Sequence, residues 1–547
     1  MLNNASSLTP GHILHLHGDD YAMGLQHGQA LKTAIARGAV PYLATYLDKL
    51  LRTSLGASGA RVAQMGLRQT VGRQLRKAFP GHVLQHMRGL AAGAELPEQL
   101  FFDAFTLPET FLWLMHTSQR LRRPELAPQL AVLGCSSVFV KGAASADGHV
   151  RHARNLDYMG VGHWDQEAAV LFYTPDEGQP YVSISSAGVP LGGITAMNQS
   201  GLTLAVHQHL GCLDFELGGM PVGLIGDQVM RHAHSLSEAC AILDGHRPNG
   251  GWTYLVASAT ENAILCYEVT AARRAWKIID ADSFVYTNMF QHQALADREA
   301  HVYPSQWRSC LGRYRFLSAQ VDERSGPLDV AALRHLLGHR ADPRCRLRTP
   351  TAMLTTLSSA VMEPGTGRVY VGFGPTPVSQ APFYAFDLGK QALLSDFTPL
   401  TSSQTGAEAG FDAYRQAYRA YFDDQDLDRA AQALAQACRL QPREALYAFM
   451  AGLLELARQH PEAGIAYFHQ ALEIGHPDPQ RRAAFFLWRG RCYDACGNRD
   501  LARKDYTWAL DGASDPAVAE AARAGLKRPW RWHKPALEFN YADVVTP

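Results

Sequence analysis

The sequence has no excess charge of either sign: 51 Lys+Arg stand against 51 Asp+Glu in 547 residues. Without a basic field, neither nucleic acid nor an anionic membrane surface is an expected partner. Long apolar runs are missing too; none approaches the length of about 20 residues that spans a bilayer. The first thirty residues lack the charged start and apolar core of a secretory signal. Cysteines number only nine, scattered and odd, which argues against a disulfide framework and for a reducing, cytoplasmic address. Metal-ligand clusters are also wanting. Cys492-x-x-x-Cys496 falls in a helical stretch, and the pairs His207/His209 and His232/His234 have no accompanying Cys or carboxylate group. No metal or cofactor is therefore expected. What remains is an ordinary globular composition, 47% hydrophobic and 19% charged, on a chain long enough for several domains.

Three regions separate along the chain. Residues 1–134 read mostly as helices, with Pro108 breaking the apolar stretch 96–114. From 135 to about 400 short strands dominate, with helices expected over 223–243, 305–317 and 330–337, and Ser235 as a cap. Strands in blocks with helices between them predict an α+β sandwich with helices outside. A polar linker follows at 401–410, and a short tail closes the chain at 527–547.

Between linker and tail, 411–526 repeats itself. Starts at Phe411, Ala445 and Ala483 are 34 and 38 residues apart, the longer spacing absorbing Asp478–Arg481. Tyr418, Gly452 and Gly490 then share position eight, and Leu434, Phe468 and Tyr506 share position twenty-four. Small residues let paired helices approach while the larger ones fill the gap. The pattern resembles tetratricopeptide repeats, whose stacked surfaces dock peptides or proteins.

One cysteine stands apart. Leu133-Gly134-Cys135-Ser136-Ser137 opens a strand, a turn follows at Asp147-Gly148, and a second strand returns Arg154-Asn155-Leu156-Asp157. A small residue before a strand-opening Cys, with Arg and Asp brought beside it, points to a nucleophile unmasked by cutting Gly134–Cys135. Cys135 would then carry a thiol and a free α-amine titrating at about 7.7–8.0, nucleophile and base in one residue. The hairpin register decides whether Asp157 is the right carboxylate. A shift in the Lys141–Gly148 loop would nominate Asn155 or Asp165 instead.

These segments resemble the acyl-CoA:isopenicillin N acyltransferase family of N-terminal-nucleophile (Ntn) hydrolases, peptidase C45-type. Gly18–Gly28, Ala196–Leu202 and Thr356–Glu363 agree as well, so the resemblance spans roughly residues 11–375. It implies a four-layer αββα sandwich followed here by an all-α repeat domain, self-cleavage at Gly134–Cys135, and amide processing through a thioester on Cys135. It further implies that Asp157 orients the α-amine, that Arg154 locks Asp157 and favours the thiolate, and that Asn198 and Asn288 hold the oxyanion. Ser359 would assist cleavage or position substrate. Expected substrates are acylated small amines, N-acyl amino acids or peptide-like metabolites, with an acyl-CoA as a donor for transfer. Two other readings compete: an inactive Ntn-fold scaffold whose repeats dock a partner, and a Cys–His enzyme using His207 or His209 as base.

Overall fold

A computed structural model describes residues 11–121, 134–190, 192–299, 304–324, 326–339, 351–401, 409–476 and 481–533, with 535 and 537–539. Leu133, most of the linker, part of the 478–481 insertion and the end of the tail lie outside the described residues. The described residues fall into two compact units, one within Met1–Val302, Cys310–Gly338 and Thr355–Ser403, the other within Tyr303–Ser309, His339–Leu354 and Gln404–Pro547.

The first unit is α+β. Its strands begin with β1 (His12–Gly18), β2 (Gly134–Val140), β3 (Arg151–Asp157), β4 (Ala168–Pro175) and β5 (Tyr181–Ser186). Next come β6 (Thr195–Asn198), β7 (Leu202–Gln208), β8 (Trp252–Ser258), β9 (Ala263–Val269) and β10 (Arg274–Ile279). The last are β11 (Ser283–Tyr286), β12 (Thr356–Glu363), β13 (Arg368–Gly372), β14 (Phe383–Asp387) and β15 (Ala392–Leu393). They form an eight-stranded sheet, β1-β4-β5-β6-β7-β8-β9-β10, and a seven-stranded sheet, β11-β2-β3-β12-β13-β14-β15.

The inner faces of the two sheets share their apolar side chains. Val170, Phe172 and Val182 of one pack with Met362, Val371 and Phe386 of the other. Phe139 and Tyr286 likewise meet Leu255 and Ile264. On the outer side of the second sheet, Val138, Val140 and Ala153 pack with Leu317 of helix Pro304–Asp322 and Leu333 and Leu337 of helix Val330–Leu337. Burial of this apolar surface, worth roughly 25 cal/mol per Å², is what holds such layers together.

The leading region departs from the expected helices at one point. β1 pairs in parallel with β4, from His12↔Ala169 to Gly18↔Pro175. In its sequence, HILHLHG, only Leu14 and Leu16 are buried and the other five residues stay at least partly open. The helices that follow touch through glycine. A Cβ at Gly24 would stand 2.1 Å from the His86 carbonyl oxygen, and one at Gly89 2.1 Å from that of Tyr21. Helices Asp20–Ala30 and Gly81–Ala94 therefore meet backbone to backbone, and the Gly24/Gly28 segment is a packing element. Ser235 caps helix Leu236–Asp244 as expected, accepting from Glu238 N.

In the second unit the described helices include Ala409–Phe422, Leu427–Leu440, Ala445–Ala457, Pro461–Ile474, Ala483–Ala495, Arg499–Gly512 and Pro516–Lys527. Position eight of the repeat explains its small residue: a Cβ at Gly452 would lie 2.8 Å from the Phe468 ring, and one at Gly490 2.9 Å from that of Tyr506. The terminal segment returns across the helices. Trp530 N donates to Asp494 at 2.7 Å, Trp532 Nε1 donates to the Leu456 carbonyl at 3.1 Å, and the Phe539 ring packs tilted or edge-on among Tyr414, Tyr418, Tyr421 and Phe422.

Candidate active site

The hairpin register places the cysteine. β2 and β3 pair from Gly134↔Asp157 to Val140↔Arg151, so the Lys141–Gly148 tip absorbs its extra residues without shifting the strands. Asp157 thus stands opposite Gly134, beside the Gly134–Cys135 bond. A Cβ on Gly134 would come within 3.3 Å of Asp157 Oδ2 and 3.0 Å of an Arg313 nitrogen. Glycine there leaves the carbonyl open and the neighbours in place. The alternatives fall elsewhere. Asn155 pairs with Ser359, whose hydroxyl donates to its Oδ1 at 2.6 Å, and Asp165 accepts from Gly162 N at 2.6 Å.

Strand alternation then sorts the side chains onto two faces. Cys135, Ser137, His152 and Arg154 point between the sheets; Ser136, Asn155 and Asp157 lie on the outer face, Ser136 and Asp157 by Arg313 of helix Pro304–Asp322 and Asn155 donating to the Leu337 carbonyl. Arg154 donates to Cys135 Sγ at 3.5 Å and to the Val206 carbonyl at 2.6 Å. It does not lock Asp157 as expected, because three residues along a strand is an odd step onto the opposite face. Asp157 instead accepts from Thr356 Oγ1 at 2.5 Å and lies 3.9 Å from Arg313. Nor does Arg154 pull the thiol down on balance. Burial pushes the Cys135 thiol up, and the guanidinium offsets only part of that.

Asn288 follows from a neighbouring register. β11 pairs antiparallel with β2, Tyr286 opposite Ser137, so a residue two beyond Tyr286 arrives beside Cys135. Its Oδ1 accepts from Cys135 N at 2.6 Å, and its Nδ2 donates to the Gln208 carbonyl at 3.0 Å. Arg313, which sequence reasoning missed, ties this corner together. Its guanidinium donates to the Cys135 carbonyl at 2.5 Å, to Ser136 Oγ at 2.8 Å and to Asn288 Oδ1 at 3.4 Å. It is only 2% exposed, which no motif around it signals.

Two expected residues are not brought here. Asn198 spends its amide on the backbone, donating to the Met230 and Ala233 carbonyls at 3.2 and 2.9 Å and accepting from Leu202 N at 2.9 Å. It is a corner of the β6–β7 hairpin, and does not line the cavity described below. Asn198→Ala is accordingly expected to cost about 1–3 kcal/mol in stability and to leave kcat per folded molecule unchanged. A kcat loss of about 10²–10³ at unaltered Tm would instead return it to the oxyanion. Ser359, on the outer face with Asn155, is likewise removed from Cys135 Sγ. His207 Nε2 pairs with Ser137 Oγ at 2.8 Å, and His209 lies between Thr253 Oγ1 at 2.8 Å and Glu299 at 3.1 Å. Neither histidine is hydrogen-bonded to Cys135, as a Cys–His enzyme would need.

Cys135, Gly134, Asp157 and Asn288 open on a cavity that is partly continuous with solvent. Its other walls are mostly apolar: Val40, Leu43, Phe105, Val189, Ile194 and Val222 among them. Three of the six, Val40, Leu43 and Phe105, come from the leading helices. A concave, largely apolar space with few polar groups at one end is what a small-molecule site requires.

Comparison with known proteins adds to the geometry. Residues 146–376 match the family of acyl-coenzyme A:6-aminopenicillanic acid acyl-transferase. That stretch includes Arg154, Asp157, Asn288, Arg313 and Ser359 and begins beyond Cys135. The match supports an enzyme of acyl transfer or amide hydrolysis. Among individual proteins, the chain is similar to one from Archaeoglobus fulgidus described only as uncharacterized, 23% identical over 355 residues. The alignment takes in 61% of this chain and spans 58% of the length of that relative. The N-terminal domain of stress-induced protein-1 (STI-1) from C. elegans is similar at 16% identity, covering 23% of this chain and all of that one, with a TM-score of 0.21. No helix among the described residues is long and apolar enough to cross a membrane.

Proposed function

We propose that this chain is a self-activating cysteine amidase or acyltransferase of the Ntn type, with an αββα core and Cys135 as nucleophile. The observation that carries this reading is the bond at 2.6 Å from Cys135 N to Asn288 Oδ1, at the cavity end of β2. It holds the one backbone nitrogen that must become an amine. In activation, Sγ attacks the Gly134 carbonyl carbon and the C–N bond breaks. The nitrogen takes a proton, and water then cleaves the thioester, leaving a Gly134 carboxylate and a free Cys135 thiol and amine. In turnover, the α-amine accepts the thiol proton as sulfur attacks a substrate acyl carbon, then passes it to the leaving nitrogen. Asp157 orients the ammonium from the outer face. Asn288 Nδ2, with a second hydrogen beyond its bond to Gln208, serves the oxyanion. Water or an amine resolves the thioester; for transfer the donor is an acyl amide or an acyl-CoA, whose leaving group is the CoA thiol instead of a nitrogen.

Denaturing intact mass of the purified protein tests this directly. Dividing 60.0 kDa in proportion to the residues on either side of Gly134–Cys135 gives fragments of about 15 and about 45 kDa. Both are expected from the native sequence and neither from Cys135→Ala. One intact chain in both would sink the self-activating reading. The competing scaffold reading gives the tetratricopeptide-like helices a docking role. Any partner on the face met by Trp530, Trp532 and Phe539 would have to displace that terminal segment first.

A further inference from the structure

The cavity wall carries one carboxyl group that the chemistry above does not use. Glu109 lies in the first turn of helix Leu107–Arg120, is 1% exposed, and lines the cavity. Oε1 accepts from Val222 N at 3.1 Å, where helix Val222–His232 begins behind Pro221 without a side-chain cap of its own. Half of the carboxyl is therefore explained as a cap for a neighbouring helix. Oε2 is not: it is buried and has no hydrogen-bond partner. Four other cavity-lining side chains present buried, unpartnered donors, namely Trp164 Nε1, Trp252 Nε1, Gln208 Nε2 and the Tyr158 hydroxyl, and the second unpartnered acceptor, Asp157 Oδ2, already faces the Arg313 guanidinium at 3.9 Å.

We propose that Glu109 determines specificity, its free Oε2 receiving an ammonium group carried by the part of the substrate that fills the apolar cavity. The inference rests on the amidase reading of this site. A buried acceptor left unmade is costly, and a carboxylate more so. Burial pushes this carboxyl up to about 7, so ionisation is opposed by burial alone while the helix N-terminus beside it favours the charge. A cation is the ligand that removes that opposition. A substrate carbonyl would meet Glu109 only as a protonated donor, in a cavity already supplied with four unpartnered donors. An alkyl chain would leave Oε2 as it is. The chemical class is thus an acyl amide whose apolar chain ends in a primary amine.

Calorimetric titration separates these ligands without relying on turnover. The probes are straight-chain primary amides from butyramide to octanamide and their ω-amino counterparts, added to the native protein. At least one ω-amino amide is expected to bind about ten- to a hundredfold more tightly than its methyl-ended match. Glu109→Gln, which keeps an oxygen for Val222 N, is expected to erase that preference and leave binding of the alkyl amides unchanged. Equal or weaker binding of every ω-amino amide to the native protein would overturn the proposal, with no variant needed. So would a preference that survives Glu109→Gln. The 4-nitroanilides of the same acids report on the enzyme itself. If none is cleaved, the amidase reading falls, while the titration still decides whether Glu109 selects an amine.

Discussion

Arg313→Ala is expected to abolish both self-cleavage and amide turnover and to destabilise the fold by about 3–5 kcal/mol. The size follows from what the side chain leaves behind. Its guanidinium serves the Cys135 carbonyl, Ser136 Oγ and Asn288 Oδ1, and it is the cation 3.9 Å from buried Asp157. Alanine strips all four at once and leaves a carboxylate without its nearest positive charge. Arg313→Lys isolates the geometric part. An ammonium restores the charge, yet one compact donor cannot reach three acceptors set for a planar fork. Lysine should therefore recover a good part of the stability while turnover per folded molecule stays about 10²-fold or more below native. Chemical denaturation gives the first quantity, and kcat with the folded fraction gives the second. An alanine variant as stable as native, within about 0.5 kcal/mol, would mean that Arg313 is not the support this geometry makes it.

That Arg313 was invisible in the sequence, while Cys135 was not, has a physical cause. Hairpins write themselves locally: apolar runs around Asp147-Gly148 fixed where β2 and β3 turn, and the pairing carried Asp157 to Gly134. The same parity separates Arg154 from Asp157, since residues three apart on a strand face opposite ways. Asn288 was reachable because β11 lies against β2. Arg313 arrives from helix Pro304–Asp322, beside other arginines, and only tertiary packing tells which of them is buried. β1 was missed for a similar reason. Its mostly open pattern, with only Leu14 and Leu16 buried, gains strand structure from pairing with β4, a partner more than 150 residues away. Asn198 went wrong in the other direction: an Asn before Gln-Ser-Gly reads equally as oxyanion donor or as hairpin corner, and its bonds to Leu202, Met230 and Ala233 make it the corner.

Asp157 sets the second large expectation, a pH-dependent one. Burial pushes its carboxyl from 3.8 up to about 6, against the pull of Arg313, the Thr356 hydroxyl and Arg154. The unfolded chain releases this proton near pH 4, whereas the folded chain keeps it to about 6. Between those values the native state binds more protons, so stability falls as pH rises and levels off above about 6; the change is about 3 kcal/mol. Asp157→Asn, still able to accept from Thr356, has no such proton. Its stability minus that of the native protein should climb by about 3 kcal/mol across that window and then stay flat. Glu109, raised from 4.5 to about 7 by its own burial, titrates in both proteins and cancels in the difference. Activity should run the opposite way. Only ionised Asp157 can accept from an α-ammonium, so kcat should rise through about pH 6 in the native enzyme, and that limb should vanish in Asp157→Asn. The carboxylate would then be a group the fold tolerates at a cost because the chemistry beside Gly134 needs its charge. Denaturant titrations at several pH values decide it: a flat difference curve would mean Asp157 is ionised throughout, and a falling one that Arg313 outweighs burial.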